Sequence, residues 1–218
     1  MDKAQKMAAN DRAYNIIKSR ILSGEYEPNC KLNEIALSNE LGVSRTPVRE
    51  ALSRLEYEML VTIYPKYGTM VSSINLEVID DVFQLRKLLE PFIILNYGGM
   101  IDRDRVIMAL KSQLAIKNEQ SAENFHYKAD EDLHQIILDA NQNKYITEML
   151  MRVYDQNQRI RVLTGAKNRE RLLDSCEEHL AILNYLLCRD YLEAAKKMEE
   201  HLAASWRATI KLVASKQI

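Results

Sequence analysis

The sequence predicts a mainly α-helical protein in two parts. Residues 1–74 should combine helices with a small β-hairpin, and residues 75–218 should form an all-α bundle of six to seven helices. Glycine and proline are scarce, at 6 and 4 of 218 residues, which favours helix. Short β-rich runs occur before residue 75, whereas helical spacing of apolar residues continues after it. The second part is long enough to fold as a bundle of its own.

The first part should contain three helices and a hairpin. Apolar residues at i, i+4 spacing begin at Ala13 and indicate the first helix. Two β-rich runs flank the turn 65–68 and indicate a hairpin, which would be a wing beside the helices. The helices are expected at residues 13–23, 34–41 and 44–58, and the strands at 60–64 and 69–73.

Residues 41–52, LGVSRTPVREAL, predict the turn and second helix of a helix-turn-helix. Gly42 suits the tight turn because a residue without a Cβ enters positive φ freely. Ser44 is placed to cap the helix, and Pro47 falls in the first turn, where its missing N–H has no intrahelical duty. The apolar stripe that would face a core consists of Val48, Leu52 and Leu55.

The other side of this helix carries Arg45, Thr46 and Arg49, where a recognition helix meets base edges and phosphates. The net charge of −1 does not indicate nucleic-acid binding for the chain as a whole. A site-specific binder needs only a local basic patch. Residues 44–54 provide one, because they contain three arginines and only one glutamate. Arg49 could instead pair with a neighbouring acid, and Arg54 is expected to be a solvated charge.

The run VSRTPVREAL resembles the signature of the winged helix-turn-helix of GntR-type bacterial transcription regulators, and the similarity continues over roughly the first 75 residues. Asn29 and Met59 stand where that family usually has glycine. The resemblance implies that Arg45 and Arg49 read bases or hold phosphates and that the wing tip approaches the minor groove. The residues expected to bind DNA are Ser44, Arg45, Thr46, Arg49, Lys66 and Gly68.

The second part should consist of consecutive helices, with Pro91 as a possible kink and Gly98-Gly99 ending the first of them. Asn141–Asn143 forms a polar break, and Asn143 is placed to cap the helix that follows. The helices are expected to begin near residues 78, 103, 121, 145, 169 and 191.

Four residues of the second part could form a metal site. Asp130 and His134 lie four apart on one expected helix and so share a face. His179 and His201 fall on the last two helices. Imidazole and carboxylate suit Zn²⁺, Ni²⁺, Mn²⁺ or Fe²⁺. Spacing alone is a weak indication, because bundle histidines are more often hydrogen-bonded core or surface residues.

The surrounding sequence resembles the FCD domain, the helical effector-binding domain of the FadR subfamily of GntR regulators. Asp130-x-x-Leu133-His134 and Glu178-His179-x-x-Ile182-Leu183 carry the resemblance. It implies that a divalent ion, with Zn²⁺ favoured, is bound and that a carboxylate effector completes the coordination. The implied metal ligands are Asp130, His134, His179 and His201. Leu133 replaces the usual phenylalanine, an apolar exchange that should leave coordination unaffected.

Arg86 is a candidate for binding the effector, because a guanidinium can hold a carboxylate with two hydrogen bonds. Its alternative role is an i, i+4 ion pair with Glu90.

The sequence therefore predicts a metabolite-responsive DNA-binding transcription regulator. A repressor is expected, because repression is the commoner behaviour in the family that the chain resembles. A homodimer would bind a pseudo-palindromic operator, and the effector would be a small organic acid. The alternatives are a direct metal sensor and, from another class, a metal-dependent hydrolase.

Targeting features point to the cytoplasm. The N-terminus lacks the apolar core of a signal peptide, and no apolar stretch approaches the ~18 residues of a membrane span. Three cysteines, an odd number without framework spacing, fit a reducing compartment.

Overall fold

The computed structural model describes residues 3–118, 123–164 and 169–216. Two compact units are present: residues Met1–Asn75 with Tyr154–Leu163, and residues Leu76–Val153 with Thr164–Ile218. No helix of the described ranges is long and apolar enough to cross a membrane. The elements in chain order are α1 (Lys3–Leu22), β1 (Lys31–Leu32), α2 (Glu34–Leu41), α3 (Arg45–Tyr57), β2 (Val61–Tyr64), β3 (Gly68–Val71), α4 (Leu76–Tyr97), α5 (Arg103–Asn118), α6 (Glu123–Ala140), α7 (Lys144–Thr164), α8 (Arg169–Leu187) and α9 (Tyr191–Lys216).

The first unit packs α1 to α3 around one apolar core beside a small antiparallel sheet. The stripe of α3 is buried as expected, since Val48, Leu52 and Leu55 are all at most 1% exposed. Strands β2 and β3 form the hairpin, and β1 completes the order β1-β3-β2. Strand β1 was not predicted from the sequence, because two residues are too few to show a strand period.

Helices α2, α3 and α8 end in the same hydrogen-bonded motif. A residue just beyond each helix has a left-handed backbone conformation, and its N–H and the next N–H donate to carbonyl oxygens of the last helical turns. Gly42 takes this position after α2, as expected, with φ of 63°. Met59 takes it after α3 with φ of 60°, and the Leu60 N–H reaches the Leu55 carbonyl at 2.9 Å. Arg189 does the same after α8. The geometry that family members build with glycine is therefore kept at Met59.

Residues 154–163 of α7 pack within the first unit. The Lys18 ammonium lies 2.6 Å from the Asp155 carboxylate. The Gln156 amide donates to the Met59 carbonyl oxygen at 3.0 Å. Arg159 is buried and donates to the Ser72 carbonyl, while its burial lowers its pKa to about 10. This segment therefore hydrogen-bonds the Met59 carbonyl, which precedes β2, and the Ser72 carbonyl, which follows β3.

The second unit is built from the remaining helical segments, in which α9 packs on α4 and α8, and α5 packs on α6 and α8. The helix bounds follow the expected pattern closely. Helix α4 continues through Pro91 to Tyr97 and passes into a short 3₁₀ turn at Gly98–Met100. Asn143 precedes α7 and accepts the Tyr145 N–H at 3.0 Å, as its expected capping role requires.

Replacing Met59 by glycine should stabilise the protein. The left-handed conformation costs an L-residue about 1–2 kcal/mol, glycine loses about 0.5–1 kcal/mol of chain entropy, and the net gain is therefore about 0.5–1 kcal/mol. The exposed Met59 side chain contributes little packing. The midpoint of urea unfolding should rise for Met59→Gly and not for Met59→Ala, which keeps the Cβ. Equal midpoints for the two variants would show that Met59 is unstrained.

Candidate metal centre and DNA-binding surface

The structure brings together the four residues proposed from the sequence as metal ligands. Asp130 and His134 come from α6, while α8 supplies His179 and α9 supplies His201. One ligand atom from each lies within 4.8 Å of all the others. The His179 Nε2 atom is 3.3 Å from Nε2 of His201 and 3.4 Å from Oδ1 of Asp130. All three histidines are buried, and Asp130 is half-buried.

Each histidine of the cluster makes a polar contact through its outer nitrogen, Nδ1. The His134 Nδ1 atom lies 2.6 Å from Oε2 of Glu90. The His201 Nδ1 atom lies 2.7 Å from Oε2 of Glu178. The partner of the third ring, His179, is an amide and not a carboxylate. Nε2 of Gln113 is 3.1 Å from Nδ1 of His179. Carboxylates in this position orient metal-binding imidazoles, whereas the Gln113 amide N–H can only donate to Nδ1 of His179.

Charge around the cluster favours ionised carboxylates and a neutral His201. Burial alone would raise the pKa of Glu90, but the Arg86 guanidinium and the His134 ring outweigh it and hold that pKa at about 2. Burial also opposes ionisation of Glu178, whose pKa is nevertheless lowered by hydrogen bonds from His201 and Arg171. Burial lowers the pKa of His201 despite its bond to Glu178. A neutral imidazole can act as a metal ligand.

Three imidazoles and one carboxylate form a donor set that fits a divalent transition ion. Their convergence from three different helices, together with the outer contacts, distinguishes this group from a chance gathering of core histidines. The chemistry of the donors and the small spread of their ligand atoms therefore agree with a metal centre.

Arg86 lies beside this cluster, and its alternative role as an ion-pair partner is present. Its Nε atom is 2.7 Å from Oε1 of Glu90, one helical turn away on α4. Its NH2 atom is 3.0 Å from Nε2 of His134, the nitrogen that faces the other ligands. The guanidinium is buried, so its charge acts at the cluster with little screening by water.

The residues proposed to bind DNA lie on the exposed side of α3 and on the wing. Ser44, Arg45, Thr46 and Arg49 are exposed, whereas Pro47 and Val48 between them are buried. Ser44 occupies the N-cap position, but the expected capping bond from its hydroxyl is absent. At the wing tip, Lys66 and Gly68 are exposed and have positive φ, of 70° and 103°.

Glu34, which the sequence did not single out, contacts both arginines of α3 that are proposed to bind DNA. Its Oε2 atom lies 2.7 Å from Nε of Arg49 and 3.4 Å from NH2 of Arg45. Burial opposes ionisation of Glu34, but hydrogen bonds from the two arginines lower its pKa. The acid pairing considered for Arg49 is thus present. Glu34 is the first residue of α2, and no local pattern shows that this position faces α3.

A winged helix-turn-helix with exposed arginines, followed by a helical unit with a buried ligand cluster, defines a DNA-binding transcription regulator. Comparison with known proteins agrees. The profile of bacterial regulatory proteins of the gntR family matches residues 9–71, and that of the FCD domain matches residues 81–204. The chain therefore belongs to the GntR family, in the branch that carries an FCD domain.

Relatives with assigned names support this placement. The chain is similar to the Uxu operon regulator of Haemophilus influenzae, with 30% identity over 88% of this chain and 78% of that one. It is also similar to the transcriptional repressor GlaR of Escherichia coli, with 27% identity over 87% and 90% of the two chains. These relatives are regulators, so the chain is a sequence-specific DNA-binding regulator and not the hydrolase considered as an alternative.

Solved structures share the fold. A chain from Rhodococcus sp. RHA1 described as a GntR transcriptional regulator superposes with a TM-score of 0.77 at 20% identity, covering 94% of this chain and 98% of that one. The Zn²⁺-bound FCD domain of TM0439 superposes with a TM-score of 0.57 at 22% identity, covering 66% and 99%. At these identities the similarity concerns the fold.

Removing the Glu34 charge should strengthen binding to non-operator DNA. Glu34→Gln releases Arg49 for a phosphate, and one extra phosphate contact steepens the slope of log K against log salt by about 0.9. Fluorescence anisotropy with a non-operator duplex measures this slope. Glu40→Gln is the matched control, because it removes a charge from the same helix at a residue that pairs with Arg20. Equal slopes in both variants would show that Glu34 does not restrain Arg49.

Proposed function

We propose that the protein is a metabolite-responsive repressor whose helical domain holds a divalent metal ion and a small carboxylate effector. The observation that carries the proposal is the convergence of Asp130, His134, His179 and His201 on one point of the second unit. We assign residues 1–74 to DNA binding and residues 75–218 to effector binding. The repressor mode is supported by the name of the relative GlaR.

The metal is proposed to be Zn²⁺, with Ni²⁺, Mn²⁺ and Fe²⁺ as alternatives that metal analysis decides. Its ligands would be Asp130 Oδ and the Nε2 atoms of the three histidines. The Zn²⁺ bound by the similar FCD domain of TM0439 supports this choice. When bound, the ion supplies a Lewis-acidic position at which a carboxylate oxygen can coordinate.

The effector is proposed to be a small organic acid held partly by Arg86. Since Arg86 NH2 lies 3.0 Å from Nε2 of His134, an anion coordinated at the cluster would be within reach of the guanidinium. Arg86 is already oriented by Glu90, so a bound carboxylate would meet a charge whose position is set in advance. Effector binding regulates DNA binding only if it favours one arrangement of the two domains over another.

DNA is proposed to meet the exposed side of α3 in the major groove, through Arg45 and Arg49 at base edges or phosphates and Ser44 and Thr46 at phosphates. Lys66 and Gly68 would bring the wing to the minor groove, where the missing Cβ allows close backbone approach. A homodimer would match the two halves of a pseudo-palindromic operator. An exposed apolar row on α4, formed by Leu88, Phe92 and Leu95, supports self-association.

The metal site is tested first by elemental analysis of the purified protein. We expect about one transition-metal ion per protomer, and loss of that ion in His179→Ala, because three donors remain from the proposed four. Gln135→Ala is the control, since Gln135 is an exposed neighbour of His134 on the same helix. Wild-type protein that stays metal-free after incubation with Zn²⁺ would contradict the metal site. Operator binding that follows Zn²⁺ without an organic acid would favour the metal-sensor alternative.

Arg49→Ala should weaken operator binding by about 10- to 100-fold, because a base or phosphate contact of one arginine contributes about 1–3 kcal/mol. Metal content should stay unchanged, since Arg49 belongs to the other unit. Arg54→Ala serves as the control: Arg54 lies on the same helix but stacks on the Tyr14 ring at 3.6 Å. The measurement is anisotropy titration with the promoter duplex protected in a footprinting assay. Wild-type affinity in Arg49→Ala would refute the assignment of α3 as recognition helix.

A further inference from the structure

We propose that two arginine–glutamate–histidine triads set the metal affinity of the cluster by holding two of its three imidazoles from outside. This inference rests on the metal site proposed above and assigns positioning roles to residues that are not ligands. The α4 triad consists of Arg86, Glu90 and His134. The α8 triad consists of Arg171, Glu178 and His201.

In the α4 triad, a fully buried carboxylate bridges an arginine and a histidine. One oxygen of Glu90, Oε1, accepts the Arg86 Nε–H at 2.7 Å, and the other, Oε2, lies 2.6 Å from Nδ1 of His134. Glu90 has no exposed surface, so water does not compete for either oxygen. Both carboxylate oxygens of Glu90 therefore have a partner, which fixes the position of this side chain. The fixed carboxylate in turn orients the His134 ring.

The α8 triad repeats this arrangement with different geometry. Arg171 donates two parallel hydrogen bonds to Glu178, from Nη1 to Oε1 at 2.9 Å and from Nη2 to Oε2 at 2.8 Å. The Oε2 atom of Glu178 also lies 2.7 Å from Nδ1 of His201. Ser205, one helical turn beyond His201 on α9, accepts from Arg171 NH2 at 2.8 Å. The glutamate is 28% exposed here, so this triad tolerates substitution better than the α4 triad.

A carboxylate at Nδ1 affects metal binding in two ways. It keeps the proton on Nδ1, so the Nε2 lone pair can serve as a metal ligand, and it makes the imidazole more basic. At His134 an ion would take the place of Arg86, whose Nη2 atom lies 3.0 Å from that lone pair. At the third histidine the group beside Nδ1 is the uncharged amide of Gln113, whose N–H donates to that nitrogen. Loss of such an outer partner typically lowers metal affinity by about 10- to 100-fold. We assign this contribution to Glu90 and Glu178 separately.

The decisive variant is Glu178→Gln, which keeps the size of the side chain and removes its charge. Zn²⁺ affinity is measured by competition with a chromophoric chelator, and the ligand field by the visible absorption of the Co²⁺-loaded protein. We expect about 10- to 100-fold weaker Zn²⁺ binding and a shifted Co²⁺ spectrum. The matched control is Glu177→Gln, since the adjacent Glu177 is 57% exposed and pairs with Lys117. The control should bind both ions as the wild type does.

Glu90→Gln tests the α4 triad in the same assays, and the double variant should bind Zn²⁺ more weakly than either single variant. A thermal melt of metal-free protein separates positioning from stability. Weak Zn²⁺ binding with an unchanged metal-free melting temperature supports the inference. If Glu90→Gln fails to fold, Glu178→Gln alone decides.

Three outcomes are distinct. Folded Glu178→Gln with wild-type Zn²⁺ affinity and Co²⁺ spectrum would overturn the inference while leaving the metal site intact. Zn²⁺ affinity and metal-free stability that fall together would show a structural role only, which also overturns it. Wild-type protein that fails to bind Zn²⁺ would instead refute the proposed function on which the inference rests.

Discussion

Burying three imidazole rings in one helical bundle imposes the constraint on which the second unit depends. Each ring has two nitrogens that require partners, and a bundle core offers few polar groups. The structure meets this requirement with Glu90, Glu178 and Gln113 at the outer nitrogens. Helices α4, α5, α6, α8 and α9 must therefore keep their rotation and register together, because a displacement of one would leave buried nitrogens unsatisfied.

The fully buried Glu90 and the partly buried Glu178 create a second requirement, because a carboxylate withdrawn from water is costly unless it is paired. Arg86 and Arg171 supply that pairing from the same helices that carry the glutamates. The imidazoles of His134 and His201 thus each contact a carboxylate, and each of these carboxylates contacts a guanidinium. Such a network favours one packing of the helices over others of similar apolar content, since alternatives would separate buried charges.

The DNA-binding unit follows a different logic, in which apolar burial sets the helices and backbone geometry sets their ends. The stripe of Val48, Leu52 and Leu55 fixes which side of α3 is exposed, and this leaves Arg45 and Arg49 outward. Glu34 then restrains both guanidinium groups on the surface. A phosphate that binds Arg49 must therefore replace the Glu34 carboxylate as the partner of this guanidinium.

Local patterns predicted the hairpin, the helix-turn-helix and the helices, except that α1 begins at Lys3 and not near the expected Ala13. Periodicity and turn chemistry act over a few residues and are therefore visible in the sequence. Motif similarity indicated Asp130, His134, His179 and His201 as a set, although spacing alone was weak. The partners of those residues were harder to foresee. Arg171 and Glu178 lie two turns apart on one helix, a spacing that is typical of many solvated pairs, and only tertiary packing brings His201 to Glu178. Strand β1 was missed because its pairing with β3 is a long-range event.

The placement of residues 154–163 in the first unit makes that unit discontinuous in sequence. A fragment ending near residue 75 would carry α3 and the wing but would expose the Met59 and Ser72 carbonyls, which Gln156 and Arg159 now satisfy. A recombinant DNA-binding fragment would therefore need residues 154–163 supplied as a linked or added peptide to reproduce the folded surface. The evolutionary counterpart is that exchanging whole domains at residue 75 separates residues 154–163 from the unit in which they pack.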